Sequence, residues 1–137
     1  MNIDKLCAIF KGLSDKTRLR IVNLLIRSDH EPCVCEIVDA LNEPQYKVSK
    51  QLKELKFAGL IKDKKEGRWV MYSLVNDNDV SIKLLLKAIS SVTDDIFAKD
   101  EERLRARLSL RKNRECVVGM GNKEWKEILR KLEKRNA

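Results

Sequence analysis

Helix breakers are scarce in this chain, with five glycines and two prolines among 137 residues. That scarcity argues against a loop-rich or all-β architecture. No apolar run approaches the ~18–20 residues that a membrane-spanning helix needs. The opening MNIDKLCAIF lacks an apolar stretch of signal-peptide length and a small-residue cleavage site. The expected location is therefore the cytoplasm, with no membrane partner. Internal repeats and low-complexity tracts are also missing. Hydrophobic residues make up 43% and charged residues 36%, which is too apolar for a disordered chain. At this length the chain can bury one substantial core.

Charge is unevenly placed. The net charge of +8 raises a polyanionic partner. Residues 1–98 carry 16 basic and 14 acidic side chains, whereas 99–137 carry 13 and 7. Within the first part, residues 44–68 alone hold 8 basic and 3 acidic side chains. Two basic zones therefore need explaining.

Hydrophobic spacing organises the rest. Ile3, Leu6, Phe10 and Leu13 predict an amphipathic helix over 2–13, with Cys7 expected beside Ile3 and Phe10 as a small core residue. Ser14 is the expected cap of a second helix that runs through Leu19, Ile21, Val22, Leu24 and Leu25. Pro32 admits a short third helix over 33–41. A fourth spans 45–57, with Val48, Leu52 and Leu55 at i, i+4, i+7 and Gly59 as its stop. The period then changes to two, and 61–65 and 68–74 read as strands of a hairpin around Glu66-Gly67. Residues 76–79 predict a turn that caps a helix over 80–98, with Ile82, Leu85, Leu86, Ile89, Val92 and Ile96 on its stripe. Residues 99–111 look helical and Arg-rich, 113–121 loop-like. A last amphipathic helix starts at Asn122, with Trp125, Ile128, Leu129 and Leu132 on one side.

Helix, turn, basic helix and basic hairpin form the order of a winged helix-turn-helix. The expected fold is mainly α with a β-hairpin. Residues 1–98 are expected to form a DNA-binding domain, and 99–137 a basic helical extension. The 45–57 helix would enter the major groove, pinned to the domain by its apolar stripe. Gln45 can pair with adenine, and Lys47 or Lys50 with guanine. Tyr46 and Ser49 can contact bases or phosphates. Lys53, Lys62, Lys64, Lys65 and Arg68 suit phosphates, which supply salt-dependent affinity. The plain alternative is a solvated basic helix face.

Four cysteines, Cys7, Cys33, Cys35 and Cys116, point in a reducing compartment to metal binding or redox chemistry rather than a disulfide framework. Cys33-Val34-Cys35 opens the third helix, where a helix N-terminus favours the thiolate that binds soft ions. Residues i and i+2 share no face of a regular helix, so one ion joins both only if the first turn is distorted. Cys116 stands open between third ligand and packing residue, and His30 reads mainly as a loop residue.

Over about residues 3–98, and most specifically from Cys33 to Leu74, the chain resembles the ArsR/SmtB family of metal- and metalloid-responsive repressors. The resemblance is carried by Cys33-Val34-Cys35-Glu36-Ile37, Val48-Ser49-Lys50-Gln51-Leu52, Ala58-Gly59-Leu60-Ile61 and Gly67-Arg68-Trp69-Val70-Met71-Tyr72. Leu13-Ser14-Asp15-Lys16-Thr17-Arg18-Leu19 is similar to the family's first interhelical segment. The resemblance implies a homodimer joined through the first helix and the 80–98 helix, and an operator of double-stranded DNA with two-fold symmetry. It also implies an inducer ion that weakens DNA binding, mapped onto Cys33 and Cys35. Arsenical members often carry a further cysteine where this chain has Val38, so Cys116 becomes the first choice for a third ligand. The histidine-containing site of zinc- and nickel-type members is not expected, because only Asp94 and Asp95 stand on the relevant helix.

The leading expectation is a repressor released by trivalent arsenic (arsenite) on Cys33, Cys35 and Cys116, with no organic cofactor. A Cd(II)- or Pb(II)-responsive repressor and a thiol-redox sensor share the fold. A small thiol enzyme such as an arsenate reductase needs an oxyanion cradle. Here the residues six positions after the four cysteines are Leu13, Asp39, Leu41 and Asn122 rather than arginine, and no C-x-x-C exists, so no enzyme is expected. An architectural DNA binder would ignore both operator sequence and thiol ligands.

Overall fold

The computed structural model describes residues 1–76 and 78–136. Its elements run α1 (Ile3–Leu13), α2 (Lys16–Arg27), α3 (Val34–Leu41), α4 (Gln45–Phe57), β1 (Ile61–Glu66), β2 (Trp69–Leu74), α5 (Val80–Ser90), α6 (Asp95–Leu108) and α7 (Lys123–Arg135). The mainly helical winged architecture expected from the sequence is present. Asp77, within the turn expected at 76–79, and Ala137 lie outside the described residues.

Local chemistry sets the helix ends. The Asp15 carboxylate accepts the Arg18 N–H at 3.0 Å and caps α2. Ser14, the residue expected to do so, closes α1 instead. Asn42 turns left-handed after α3 at φ 53°. Gly59 does the same after α4 at φ 79°. The Gly59 N–H reaches the Lys56 carbonyl at 3.0 Å and the Leu60 N–H the Leu55 carbonyl at 3.1 Å. This double bond pattern ends helices where the positive φ favours glycine.

The strands pair antiparallel from Ile61 opposite Leu74 to Glu66 opposite Trp69. The turn is thus Gly67-Arg68, one residue later than the pattern suggested. Gly67 takes φ 60°, the glycine-first geometry that matches strand twist. An isolated bridge ties the start of α3 to β2, where Cys33 pairs with Met71 and the Tyr72 N–H reaches the Pro32 carbonyl at 2.9 Å.

The helix expected over 80–98 is two helices. Asp94 is extended and its carboxylate accepts the Ile96 N–H at 2.9 Å, which starts α6. The apolar stripe runs on through the break, so periodicity hid it. Val92 and Ile96 are 47% and 39% exposed rather than core. The 98/99 division falls inside α6. On α1 the buried apolar residues are Ile9 and Leu13. Ile3, Cys7 and Phe10 face outward, which corrects the core placement of Cys7.

Val48, Leu52 and Leu55 seat α4 on the core made by Ile21, Leu24, Ile37 and Leu41. Each such burial contributes about 1.5–3 kcal/mol. α6 packs across α2 and α3, adding Phe97 and Leu104. The joint also holds a charged knot. Asp100, 0% exposed, accepts from Arg20 Nε at 2.8 Å and Nη2 at 2.9 Å, and from Arg103 Nη2 at 2.8 Å. The same arginines donate to the last carbonyls of α3, Arg20 to Leu41 at 2.7 Å and Arg103 to Ala40 at 2.6 Å. Those carbonyls have no partner within the helix.

Removing one side of a buried pair strands the other charge. Asp100→Ala is expected to lower unfolding stability by about 3–5 kcal/mol in urea titrations followed by circular dichroism. A loss within experimental error would show that the knot does not hold α6 in place.

Candidate functional site

The N-terminus of α3 gathers the thiols. Cys33 is the N-cap, with extended backbone at φ −85° and ψ 167°. It therefore stands outside the regular helix, while Cys35 lies within it, in the same buried cluster but outside the close donor group that Cys33, Glu36 and Cys116 form. Cys116 arrives from the segment after α6. There Lys112 and Glu115 pair around Asn113 and Arg114, which take φ 53° and 63°. Two left-handed residues make the tight turn that sends a strand back on itself.

This return brings Cys116 Sγ to 3.2 Å from Cys33 Sγ, within hydrogen-bond reach. Cys33, Cys35 and Cys116 are all buried, in a cluster with Met71 and flanked by Val34, Trp69 and Met120. The Glu36 carboxylate lies at the same place, with an oxygen within 4.8 Å of the Cys33 and Cys116 sulfurs. Cys7 and His30 are exposed and belong to no such group among the described residues. A cleft of about 390 Å³ between the Gly67 turn and residues 114–116 has Trp69, Met71 and Cys116 on its walls.

Arginines fasten the returning segment to α3. Arg107 Nε donates to Asp39 at 2.7 Å and Nη2 to the Val118 carbonyl at 2.8 Å. The Gly121 N–H reaches the other Asp39 oxygen at 2.9 Å. Arg111 bonds Glu36 through Nε at 2.7 Å and Nη2 at 2.6 Å. Glu36 also accepts the Cys33 N–H at 2.9 Å, which satisfies one orphan donor at the helix start. Burial pushes the Glu36 carboxyl up, but Arg111 and the Cys33 N–H hold it below its usual value.

The thiols share protons unevenly. A hydrogen bond from Cys33 lowers Cys35 to about 6, against burial and with help from the Met120 N–H and Arg107. The same hydrogen bond, burial and the Glu36 charge push Cys33 up. At neutral pH Cys35 is the thiolate and Cys33 holds a proton. Cys33 and Cys116 in close approach, with Cys35 in the same buried cluster of thioether and aromatic neighbours, offer sulfur chemistry that suits a soft ion.

The basic residues form a separate surface. On α4, Gln45, Tyr46, Ser49, Lys50 and Lys53 are exposed, with Tyr46 at 79%. Lys47 is half-buried and paired with Glu43 at 3.4 Å. On the hairpin, Lys62, Lys64, Lys65 and Arg68 are exposed. Lys64 pairs with Glu66 at 3.4 Å, and Arg68 lies 4.6 Å over the Trp69 ring. The Cys33–Met71 bridge and the Trp69 ring connect the thiol cluster to the basic hairpin.

Sequence reasoning missed Arg107, Arg111 and Asp39. Their signal was the Arg-rich 99–111 run beside the acids of α3, which reads from sequence as a solvated helix.

A helix-turn-helix with a basic wing is the architecture of a DNA-binding transcriptional regulator. Residues 15–63 match the family model "Bacterial regulatory protein, arsR family". The chain is 39% identical over 89 residues to the uncharacterized HTH-type transcriptional regulator MJ1325 of Methanocaldococcus jannaschii, covering 65% of this chain and 96% of that one. It is 36% identical over 96 residues to the arsenic resistance transcriptional regulator ArsR1 of Pseudomonas putida, covering 70% and 74%. Among solved structures, HlyU from Vibrio cholerae superposes with a TM-score of 0.55 at 26% identity, over 65% of this chain and 94% of that one. This chain belongs to the ArsR family.

The proton arrangement gives a direct measurement. Far-ultraviolet thiolate absorbance is expected to gain one equivalent with a midpoint about pH 6 as pH rises. The Cys35→Ser protein should lack that step. A first step nearer the ordinary thiol value of about 8.5 would show that Cys35 is not the favoured anion.

Proposed function

We propose that this chain is a homodimeric repressor that trivalent arsenic releases from its operator. The observation that carries the reading is the 3.2 Å approach of Cys116 to Cys33 beside Cys35. Two thiols and the Cys35 thiolate condense with arsenous acid, each sulfur replacing one hydroxyl, and three waters leave with one proton taken up from solvent. The product is neutral, which suits a buried pocket better than the net negative charge that three thiolates leave on a divalent ion.

In this reading Gln45, Tyr46, Lys47, Ser49 and Lys50 face base edges or nearby phosphates, and Lys53, Lys64, Lys65 and Arg68 hold the backbone. Residues 1–98 bind DNA and dimerise, and 99–137 supply Cys116 and the arginines that place it. Support for dimerisation comes from apolar side chains left in water on α1 and α5. Ile3 and Phe10 are 79% and 53% exposed, and Val80 and Leu84 67% and 61%. Release follows from linkage. Cys33 is at once a sulfur ligand, the cap of α3 and a backbone partner of β2. An ion that draws its sulfur together with Cys116 favours a different setting of α3 and the wing. A ligand preferring that setting weakens DNA binding by the same factor that DNA weakens the ligand.

Two observations favour other inducers on the same site. The Glu36 oxygen within 4.8 Å of two sulfurs offers a fourth donor for Cd(II) or Pb(II). The 3.2 Å sulfur separation suits oxidation of Cys33 and Cys116 to a disulfide.

Operator-DNA anisotropy of the reduced protein, titrated with arsenite, with cadmium and with a mild disulfide oxidant, separates the three. Near-stoichiometric release by arsenite is expected. Cys33→Ser, Cys35→Ser and Cys116→Ser proteins should keep DNA affinity and lose that release. Release by arsenite in all three variants, or by oxidant alone in the wild type, overturns the reading.

On the DNA side, Lys50→Ala is expected to weaken operator binding at matched salt while leaving the dimer intact. Loss of a phosphate contact would also lower the salt slope by about 1, whereas loss of a base contact would relax specificity at one position. Equal affinity would take Lys50 out of the interface.

A further inference from the structure

We propose that Arg111 sets the ion selectivity of the thiol site by withholding Glu36 from it. The inference rests on the soft-ion reading of Cys33, Cys35 and Cys116. Glu36 is 0% exposed and is the only oxygen donor grouped with the sulfurs of Cys33 and Cys116 among the described residues. A fourth donor is what distinguishes the two classes of ion. Trivalent arsenic is satisfied by three sulfurs. A divalent ion of the zinc type completes a tetrahedron of four, and a carboxylate adds the negative charge and the fourth atom together.

Arg111 occupies that carboxylate on both oxygens. Nε takes Oε2 at 2.7 Å and Nη2 takes Oε1 at 2.6 Å. Oε1 accepts the Cys33 N–H as well. The guanidinium is itself tethered on its far side, because Nη2 also donates to the Glu31 carbonyl at 2.8 Å. The side chains of the pair are 9% and 0% exposed. For Glu36 to reach an ion, the two-pronged bond must open and a nearly buried guanidinium must stay behind without its counter-charge. Stranding such a charge is strongly unfavourable. The pair therefore presents a neutral wall beside three sulfurs, and a divalent ion meets the thiols without a fourth ligand. An arsenic ion gives up nothing by that arrangement.

The contrast with Arg107 supports the assignment. Arg107 holds Asp39 through Nε on one oxygen only, the other going to the Gly121 N–H, and Asp39 is not among the donors grouped with the Cys33 and Cys116 sulfurs. Of the two clamps, only the one at Arg111 covers a potential ligand.

The test is equilibrium binding of Cd(II) and of arsenite to the reduced full-length protein, each read by sulfur-to-metal charge-transfer absorption. Arg111→Gln is expected to raise the ratio of cadmium to arsenite affinity by about 10–100-fold, the usual scale for partners of metal ligands. X-ray absorption of the cadmium form should then show an oxygen in the first shell. The Glu36→Gln, Arg111→Gln double variant should return the ratio to the wild-type value. Arg111→Lys keeps the charge without the planar fork and should give a smaller rise, which preserves the test if the glutamine variant does not fold. An unchanged ratio in the folded Arg111 variants, or an equal rise in the double variant, overturns the proposal. Absence of any sulfur-to-arsenic absorption in the wild type is a different failure, that of the three-thiol site itself.

Discussion

The bonds from Arg107 and Arg111 to the acids of α3 are the constraint on which the thiol site depends. Cys116 lies 81 residues beyond Cys35 and in a segment with little regular structure. Chain entropy alone would leave it far from α3. Two charge-assisted bonds to Asp39 and Glu36, with the Gly121 N–H as a third, overcome that entropy and return the segment to the start of the helix. Because both acids are buried, the bonds are made in a medium where losing one partner is severe. The returning segment is therefore held against α3 by the protein's own ion pairs.

The same helix carries three separate loads. Its C-terminal carbonyls are held by Arg20 and Arg103, its acidic face by Arg107 and Arg111, and its N-cap by the isolated bridge to β2. α4, which bears the exposed basic face, packs next to it on a shared core. Any shift of the α3 N-terminus is thus felt at the wing through backbone hydrogen bonds and at α4 through packed side chains. Packed interiors of this kind move as units rather than bend locally, which is a physical basis for linking the thiol cluster to the DNA-facing surface.

Much of this was legible in the chain. The α4 stripe, its glycine stop, the wing and the Cys33-Val34-Cys35 opening of α3 all follow from residue spacing and turn chemistry. The break between α5 and α6 was not, since Val92 and Ile96 keep the apolar rhythm while Asp94 interrupts the backbone. Cys7 misled for a related reason: its spacing with Ile3 and Phe10 marks one face of a helix, and spacing does not say whether that face meets the core or the outside. Cys35 ionising ahead of Cys33 also escaped the sequence, because it depends on hydrogen bonds set by the fold.

Local pattern, then, was enough for the winged class, the basic surface and two of the three sulfurs, because those depend on contacts within a few residues or on periodic faces. The third sulfur and the pairing of Arg111 with Glu36, 75 residues apart, were decided by tertiary packing. Such long-range pairs leave no periodic trace: an arginine that will be buried against an acid looks, in one dimension, like any other charge on a solvated helix.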